Sequence, residues 1–323
     1  MAEPQAATAR PIRVGTSACL LGSQVRFDGG HKRERFLTET LAPYFEFVPV
    51  CPEVESGLPV PRPTLRLVGE ESAPRLVFGE SGEDYTPQLE GWAKVKLAAL
   101  EKLDLCGFVL KSDSPSCGME RVKVYSDKGM PSKKGRGIFA AALLARFPLL
   151  PVEEEGRLND AKLRETFVES VFAYWRWRNL LEEGLSMARL VDFHRIHKYL
   201  LLAHSPEHYA SLGRLVAAGK KLTKAELAER YGAGLMEAMR HNASRGRHFN
   251  VLQHMAGYFR DELEPASRDE LHQTLHDYRA GLVPLVVPMT LIRHHVRVRE
   301  VAYLRDQVYL APHPKELMLR NHV

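Results

Sequence analysis

Cysteine is scarce in this chain, with four in 323 residues, too few and too widely spread for a disulfide scaffold. No C-x-x-C pair is present, so the signature of a zinc ribbon or finger is absent as well. Long apolar runs are also missing: nothing approaches the about 18 uninterrupted apolar residues of a membrane span. The N-terminal MAEPQAATARP has no apolar signal core behind it, and residues 1–11 are expected to be a disordered polar tail. There is no internal repeat and no low-complexity tract. These absences point to a cytoplasmic protein with reduced thiols, no membrane association and no evident obligate protein partner.

An excess of one charge is lacking too. The net charge is +5, too modest to establish a nucleic-acid partner by itself. Histidine is almost missing from the first half: 13 of 14 lie after residue 190. Within the second half, residues 211–250 hold eight Lys/Arg against three Glu. This asymmetry, in a chain long enough for two cores, implies two domains of different chemistry.

The first domain, residues 12–152, alternates strand and helix patterns. Short apolar runs at 12–18, 45–50 and 105–111 read as buried parallel strands. Residues 33–43 and 87–103 have helical spacing, and Pro87 suits the start of the second. Segments 65–68 and 75–78 read as a small hairpin. A strand at 122–125, a helix over 138–147, and a last short strand with an acidic linker within 148–155 (PLLPVEEE) complete an α/β, Rossmann-like parallel sheet. From residue 159 to 323 the pattern becomes mostly α-helical. Helices are expected from 159 or 160 through Trp175, and at 185–202, 206–217, 223–240, 245–262 and 267–281. Ser205, Thr223 and Ser267 serve as start signals.

The three strands that precede cysteines carry most of the functional information. Run 12–18 leads into Cys19, run 45–50 into Cys51, and run 105–111 is followed six residues later by Cys117. Ligands in open α/β sheets bind beyond the carboxyl ends of the strands. If these strands are neighbours, the three thiols converge. Cys106, inside its strand, reads as a small buried apolar residue. Three isolated thiolates suit an iron–sulfur cluster that leaves one iron without a protein ligand; buried, inert thiols are the competing explanation.

The flanking segments are SACLLG, CPEVESGLP followed by PR, and LKSDSPSCG. In that order they resemble the fingerprint of the thiouracil desulfidase (TudS) family, over residues 12 to about 150. The resemblance implies a 4Fe–4S cluster ligated by Cys19, Cys51 and Cys117, with one iron open to the sulfur of a thiocarbonyl base. It also implies Glu53 as the acid/base carboxylate and Ser112 as an assisting hydroxyl. From the residues alone, Glu53 reads better as a helix N-terminal acid or a solvated loop carboxylate, and Ser112 as a loop hydroxyl satisfying backbone groups. Arg26 and Asp28 either line the pocket or form an ordinary turn. Arg62 and Arg66 either meet phosphate or decorate an edge strand.

Lys133, Lys134 and Arg136, in SKKGRG, form a glycine-punctuated basic loop opening a helix, whose free N–H groups would receive phosphate. The second half contains FHRIHKYLLLAHSPEHYASLGRLVA and RHFNVLQHMAGYFRDEL, and resembles the YbgA-like helical domain. Joined to a TudS-type domain, it resembles the tRNA 4-thiouridine desulfidases (RudS), which implies that the helical part recruits RNA. Arg214, Lys220, Lys221, Lys224, Arg240, Arg245 and Arg247 are candidate phosphate contacts, with Tyr174, Trp175 and Trp177 as stacking candidates. His194, His197, His204 and His208 have helical spacing but no H-E-x-x-H pattern, and packing or capping is the stronger explanation.

The expected activity is non-redox hydrolysis of 4-thiouridine in tRNA to uridine and hydrogen sulfide, with tRNA as partner. The alternatives are desulfidation of free thiouracil bases and a non-catalytic cluster protein that senses thiolated RNA. An electron carrier is disfavoured by the lack of a flavin or nicotinamide motif.

Overall fold

The computed structural model describes residues 10–126 and 130–322. The tail expected over residues 1–11 therefore lies outside the described residues, except for Pro11 and Arg10, whose guanidinium pairs with Asp104. The chain forms two compact units that divide after Asn159.

In the first unit, the cysteine-bearing strands are neighbours. Strands β1 (Arg13–Ser17), β2 (Glu46–Val50), β5 (Gly107–Leu110) and β8 (Val152–Glu154) make a parallel sheet in the order β2-β1-β5-β8. Every residue of β5 is buried and β1 is nearly so, as continuous apolar runs in a covered parallel sheet require. Pro49, which has no N–H to donate, sits in edge strand β2, paired on one side only. Gly15 is needed where it stands. A Cβ there would lie 2.2 Å from the Phe108 ring on β5, far inside van der Waals contact.

The expected single sheet is in fact two. Strands β3 (Leu65–Glu70) and β4 (Ala73–Phe78) form the anticipated hairpin. They join β6 (Val122–Tyr125) and β7 (Pro131–Gly135) in a mixed sheet ordered β4-β3-β6-β7. The alternation of β6 assigns it here: Val122 and Val124 pack with Leu67, Leu76 and Leu89, while Lys123 faces outward. β7 corrects the reading of SKKGRG as a loop. Lys133 and Lys134 lie on a strand paired antiparallel with β6, and only Arg136 is in the connection.

The short helix α1 (Pro52–Glu55) follows β2; α2 (Thr86–Glu101) and α3 (Ile138–Arg146) are the longer helices of this unit. The segment expected as an ordinary helix over 33–43 contains a π-helical turn, Phe36–Leu41, with Leu37 and Leu41 wholly buried.

The second unit is helical: α4 (Ala161–Glu182), α5 (Met187–His204), α6 (Pro206–Ala218), α7 (Lys224–Met239), α8 (Arg245–Ala256), α9 (Pro265–Ala280), α10 (Val286–Val298) and α11 (Ala302–Arg305). Asp160, Ser186, Ser205, Thr223 and Ser244 cap five of them through side-chain bonds, each worth about 1 kcal/mol. Ser267 is not a start signal: α9 begins two residues earlier at Pro265, a residue suited to a first turn because it has no N–H to leave unpaired. Trp177, 2% exposed, packs 5.0 Å from the Tyr231 ring and 5.5 Å from Phe193. Among the described residues, no helix is long and apolar enough to cross a membrane.

Candidate functional site

Strand register brings the thiols together. Ser17 and Val50 are direct partners at the ends of β1 and β2, so the segments carrying Cys19 and Cys51 leave the same sheet edge side by side. Beside them, β5 ends at Leu110, and the Lys111 N–H donates to Ser17 Oγ at 3.0 Å. Cys19 lies in the 3₁₀ turn Ala18–Leu21, which closes on left-handed Gly22. Cys51 caps α1, and its N–H donates to Glu55 Oε1 at 2.8 Å.

Cys117 is fixed by the loop after β5. Ser114 Oγ accepts its N–H at 3.1 Å. The carbonyls of Pro115 and Ser116 accept the N–H groups of Ile138 and Phe139 at 3.2 and 3.0 Å. The cysteine loop thus caps α3. The free N–H groups expected there for phosphate are already engaged, which corrects that part of the sequence reading. Gly137 is obligatory at this junction, because a Cβ would stand 2.6 Å from the Ser116 backbone. Asp113 and Arg121 flank the loop at φ 57°, a strained conformation for side-chain-bearing residues.

All three cysteines are free thiols and line one cavity of about 380 Å3. Burial, reinforced by the charge of Cys51, pushes the Cys19 thiol up to about 11. Burial raises Cys51 as well, and it raises Cys117 strongly against a hydrogen bond from Ser17. Three thiols that oppose one another's ionisation in a buried cavity suit a multiply charged cationic group that would hold them as thiolates. Among the described residues, no three or more His, Cys, Asp or Glu side chains gather closely enough to hold a single metal ion. Cys106 is completely buried just before β5, away from this cavity's lining.

Glu53 lines the cavity and is held on both oxygens. Oε2 accepts from Arg62 Nη2 at 2.6 Å and Nε at 2.9 Å, and Oε1 accepts from Ser116 Oγ at 2.9 Å. The Arg62 side chain is only 2% exposed and also donates to the carbonyl of Val25 at 2.9 Å. Arg62 is therefore neither an edge decoration nor a phosphate ligand; its fork orients Glu53.

Ser112 also lines the cavity, within a network the sequence did not reveal. Its hydroxyl donates to Glu155 Oε1 at 2.8 Å and accepts from Lys111 Nζ at 3.0 Å. Its N–H donates to Glu155 Oε2 at 2.7 Å, and Lys111 pairs with Glu155. The acidic segment taken for a linker is folded inward: Glu153 and Glu154 are buried in β8, and Glu155 anchors this network. Glu155 lies three residues beyond the domain boundary placed at 152. The signal that could have found it is a run of glutamates at the end of a strand, where a solvated linker has no need of one.

Arg26 lines the cavity, whereas Asp28 is not part of its wall and instead accepts Gly30 N–H in a turn at 3.0 Å. That bond, assisted by Arg26, lowers the Asp28 carboxyl.

In the helical unit, Lys220, Lys221, Lys224, Arg214 and Arg245 are exposed. Arg247 is half-buried and donates to the His204 carbonyl at 2.6 Å. Arg240 pairs with Glu237 at 2.8 Å. Tyr174 and Trp177 are buried, the latter between Phe193 and Tyr231, and cannot stack on a base; Trp175 is half-buried. The histidines are engaged by protein groups. His194 bonds the Tyr231 hydroxyl and His197 bonds the Phe193 carbonyl. His204 bonds Glu169 and the His241 carbonyl, and His208 bonds Ser205.

The model of the 2-thiouracil desulfurase family matches residues 14–155, and that of a protein family of unknown function (DUF1722) matches residues 198–314. The uncharacterized protein YbgA of Escherichia coli (strain K12) is 30% identical over 165 residues, covering 51% of this chain and 98% of YbgA. The uncharacterized protein YbbK of Bacillus subtilis (strain 168) is 31% identical over 150 residues, covering 45% of this chain and 96% of YbbK. A solved structure described as the [4Fe-4S]-dependent thiouracil desulfidase TudS is 33% identical, covers 46% of this chain and 94% of its own, and superposes with a TM-score of 0.38. The chain thus belongs to the 2-thiouracil desulfurase family through its α/β half, joined to a YbgA-like DUF1722 half.

Proposed function

We propose that the α/β unit is an iron–sulfur-dependent, non-redox desulfidase whose substrate is 4-thiouridine in tRNA. The reaction is C=S plus water giving C=O plus hydrogen sulfide, with no net electron transfer. The observation that carries this reading is the placement of three free thiols, a doubly held carboxylate and a lysine–serine pair around one cavity of about 380 Å3, a volume in the range of small-ligand sites.

Cys19, Cys51 and Cys117 would hold the cluster, which would supply a thiophilic Lewis acid at the departing sulfur. Glu53 would take a proton from the attacking water. Arg62 occupies Oε2 twice, while Oε1 has one donor, Ser116, and keeps acceptor capacity toward the cavity. The Lys111 ammonium reaches the cavity beside Cys19, whose thiol its charge lowers; there it would stabilise negative charge developing on the sulfur. The Ser112 hydroxyl already points its proton at Glu155, so the network would hold that oxygen as an acceptor for a water or ring N–H.

The exposed cations of the helical unit, Lys220, Lys221, Lys224 and Arg245, with Lys133, Lys134 and Arg136 of the first, would contact RNA phosphates. Arg247 lies on the same helix start but is engaged internally.

The deciding experiment is anaerobic cluster reconstitution followed by iron, sulfide and nucleoside quantification with thiolated tRNA and with 2-thiouracil. Sulfide released stoichiometrically with uridine in tRNA supports the reading. Turnover of the free base alone would replace tRNA as substrate, and thiolated RNA bound without any turnover would make the protein a sensor.

A further inference from the structure

A second concavity of about 410 Å3 adjoins the cysteine cavity. Leu65, Asp113 and Pro115 belong to the walls of both, so the two share part of one wall. Its remaining wall is the second sheet, and the strand period explains its chemistry. On β3, Leu67 points into the core and Arg66 is exposed; on β6, Val122 and Val124 point inward and Lys123 is exposed. Lys133 is exposed on β7, and Tyr125 is half-buried at the end of β6 with the Arg66 guanidinium 5.6 Å from its ring centroid.

The groove therefore carries three cations against one carboxylate, Asp113. Among the described residues, Arg66, Lys123 and Lys133 make no ion pair, whereas neighbouring Lys134 has Glu71 at 3.9 Å. Like charges gathered on one wall repel until a polyanion neutralises them. The Tyr125 ring, beside the Arg66 guanidinium, adds the stacking surface that separates a nucleic-acid track from a simple anion patch. The thiolated base must leave its stack to reach the cysteines, so its flanking nucleotides need support beside the cavity mouth.

We propose that this groove binds the single-stranded ribonucleotide segment flanking the thiolated nucleotide. Arg66, Lys123 and Lys133 take phosphates and Tyr125 stacks on a base. The inference rests on the desulfidase reading above, and it places RNA recognition in the catalytic unit itself.

The test uses the full-length protein and a short fluorescent oligouridine, with binding measured against salt. In the triple variant Arg66→Ala/Lys123→Ala/Lys133→Ala, affinity falls about tenfold or more and the log–log salt slope shrinks by about 2, at about 0.7 per lost contact on a single strand. The charge-retaining R66K/K123R/K133R keeps the slope, which separates charge from misfolding. Tyr125→Ala weakens binding about tenfold with the slope unchanged. With cluster-loaded protein, kcat/KM on thiolated tRNA falls in the triple variant while 2-thiouracil turnover persists, because none of the three residues lines the cysteine cavity. Unchanged affinity and slope in the triple variant overturn the groove. So does displacement of oligouridine by polyglutamate at equal charge concentration, since any acidic chain would then serve. Wild-type protein that binds oligouridine through these residues yet releases no sulfide leaves the groove standing and sinks the desulfidase. Sulfide release with groove variants that bind like wild type does the reverse.

Discussion

The two halves of this protein bury their ionisable groups to different ends. In the α/β unit, Glu53, Lys111, Ser112 and three thiols line one cavity, with Arg62 behind Glu53, Glu155 behind Lys111 and Ser112, and the α3 cap behind Cys117. In the helical unit, Glu165 and Glu169 are bound to the buried Arg320, with Glu169 at 2.6 Å, and His204 completes the set from α5. That cluster ties α4 to the C-terminal segment. Both clusters border a cavity, of about 380 Å3 beside the thiols and about 200 Å3 beside Glu165 and Glu169, but the carboxylates of the second are engaged by Arg320, His204 and His322. Buried charge by itself does not distinguish a site from a strut. What distinguishes them is the chemistry of the wall: three free thiols line the first cavity and no cysteine lines the second.

The largest test of this contrast is Cys51→Ala. Removing one of three ligands should abolish sulfide release and lower the iron recovered per chain after anaerobic reconstitution, while urea unfolding of the helical half stays unchanged. Retained iron would mean the thiols are not the ligands.

Next comes Glu53→Gln. It is nearly isosteric and can still accept from Arg62, but it cannot take a proton. A loss of about 10²–10⁴ in kcat is expected, with iron content and KM near wild type. Equal activity would assign the proton to another group.

On the structural side, Glu169→Ala leaves Arg320 and His204 without their shared carboxylate. Burial works against a charged Glu169, yet Arg320 and then His204 hold its carboxyl well below the usual range. Breaking such a pair costs about 3–5 kcal/mol, read as a lower urea midpoint, and the cysteine cavity should keep its iron. A comparable loss of iron would show that the halves do not behave separately.

The most gradual effect is acid sensitivity. Burial, with Arg176 from α4 and His194 nearby, pushes His197 down to about 3. Burial and Arg320, opposed by Glu169 and joined by His204 and His322, bring His248 to about 3. Both are neutral in the fold and protonate near 6.5 once unfolded. The unfolded chain therefore binds more protons between these values, and stability falls as pH drops from about 6.5 toward 3, by up to about 1.4 kcal/mol per pH unit for each histidine. Urea midpoints followed through the helical half between pH 7 and 5 check the sign. A flat profile would mean that these rings are charged in the fold.

Much of the first half was legible because its signals are local. Runs of β-branched and apolar residues give β1, β2 and β5, and Cys19, Cys51 and Cys117 lie in the segments that leave their ends. The helix starts at Asp160, Ser205 and Thr223 were legible for the same reason, since a cap acts within one turn. SKKGRG was misread because a strand of serine, lysine and glycine has no apolar period; pairing with β6 alone makes it one. PVEEE was misread because solvated and inward-turned glutamates look alike until the strand they end is placed beside β5. Trp177 and Arg247 looked available for RNA, but helical packing decides which face of α4 and α8 is covered.

The order of residues by itself determined that three thiols would follow three strand-like segments, that a glutamate stands two places after Cys51, and that a helical half follows. Those are statements about neighbours along the chain, and backbone preference and side-chain chemistry suffice for them. Only the tertiary structure decided that β1 lies between β2 and β5, which puts the thiols around one cavity. It alone set Arg62 behind Glu53 and Glu155 behind Ser112, and opened a basic groove against the same wall. These are long-range pairings, fixed by hydrogen-bond register and by the need to satisfy every buried charge, and no local pattern encodes them.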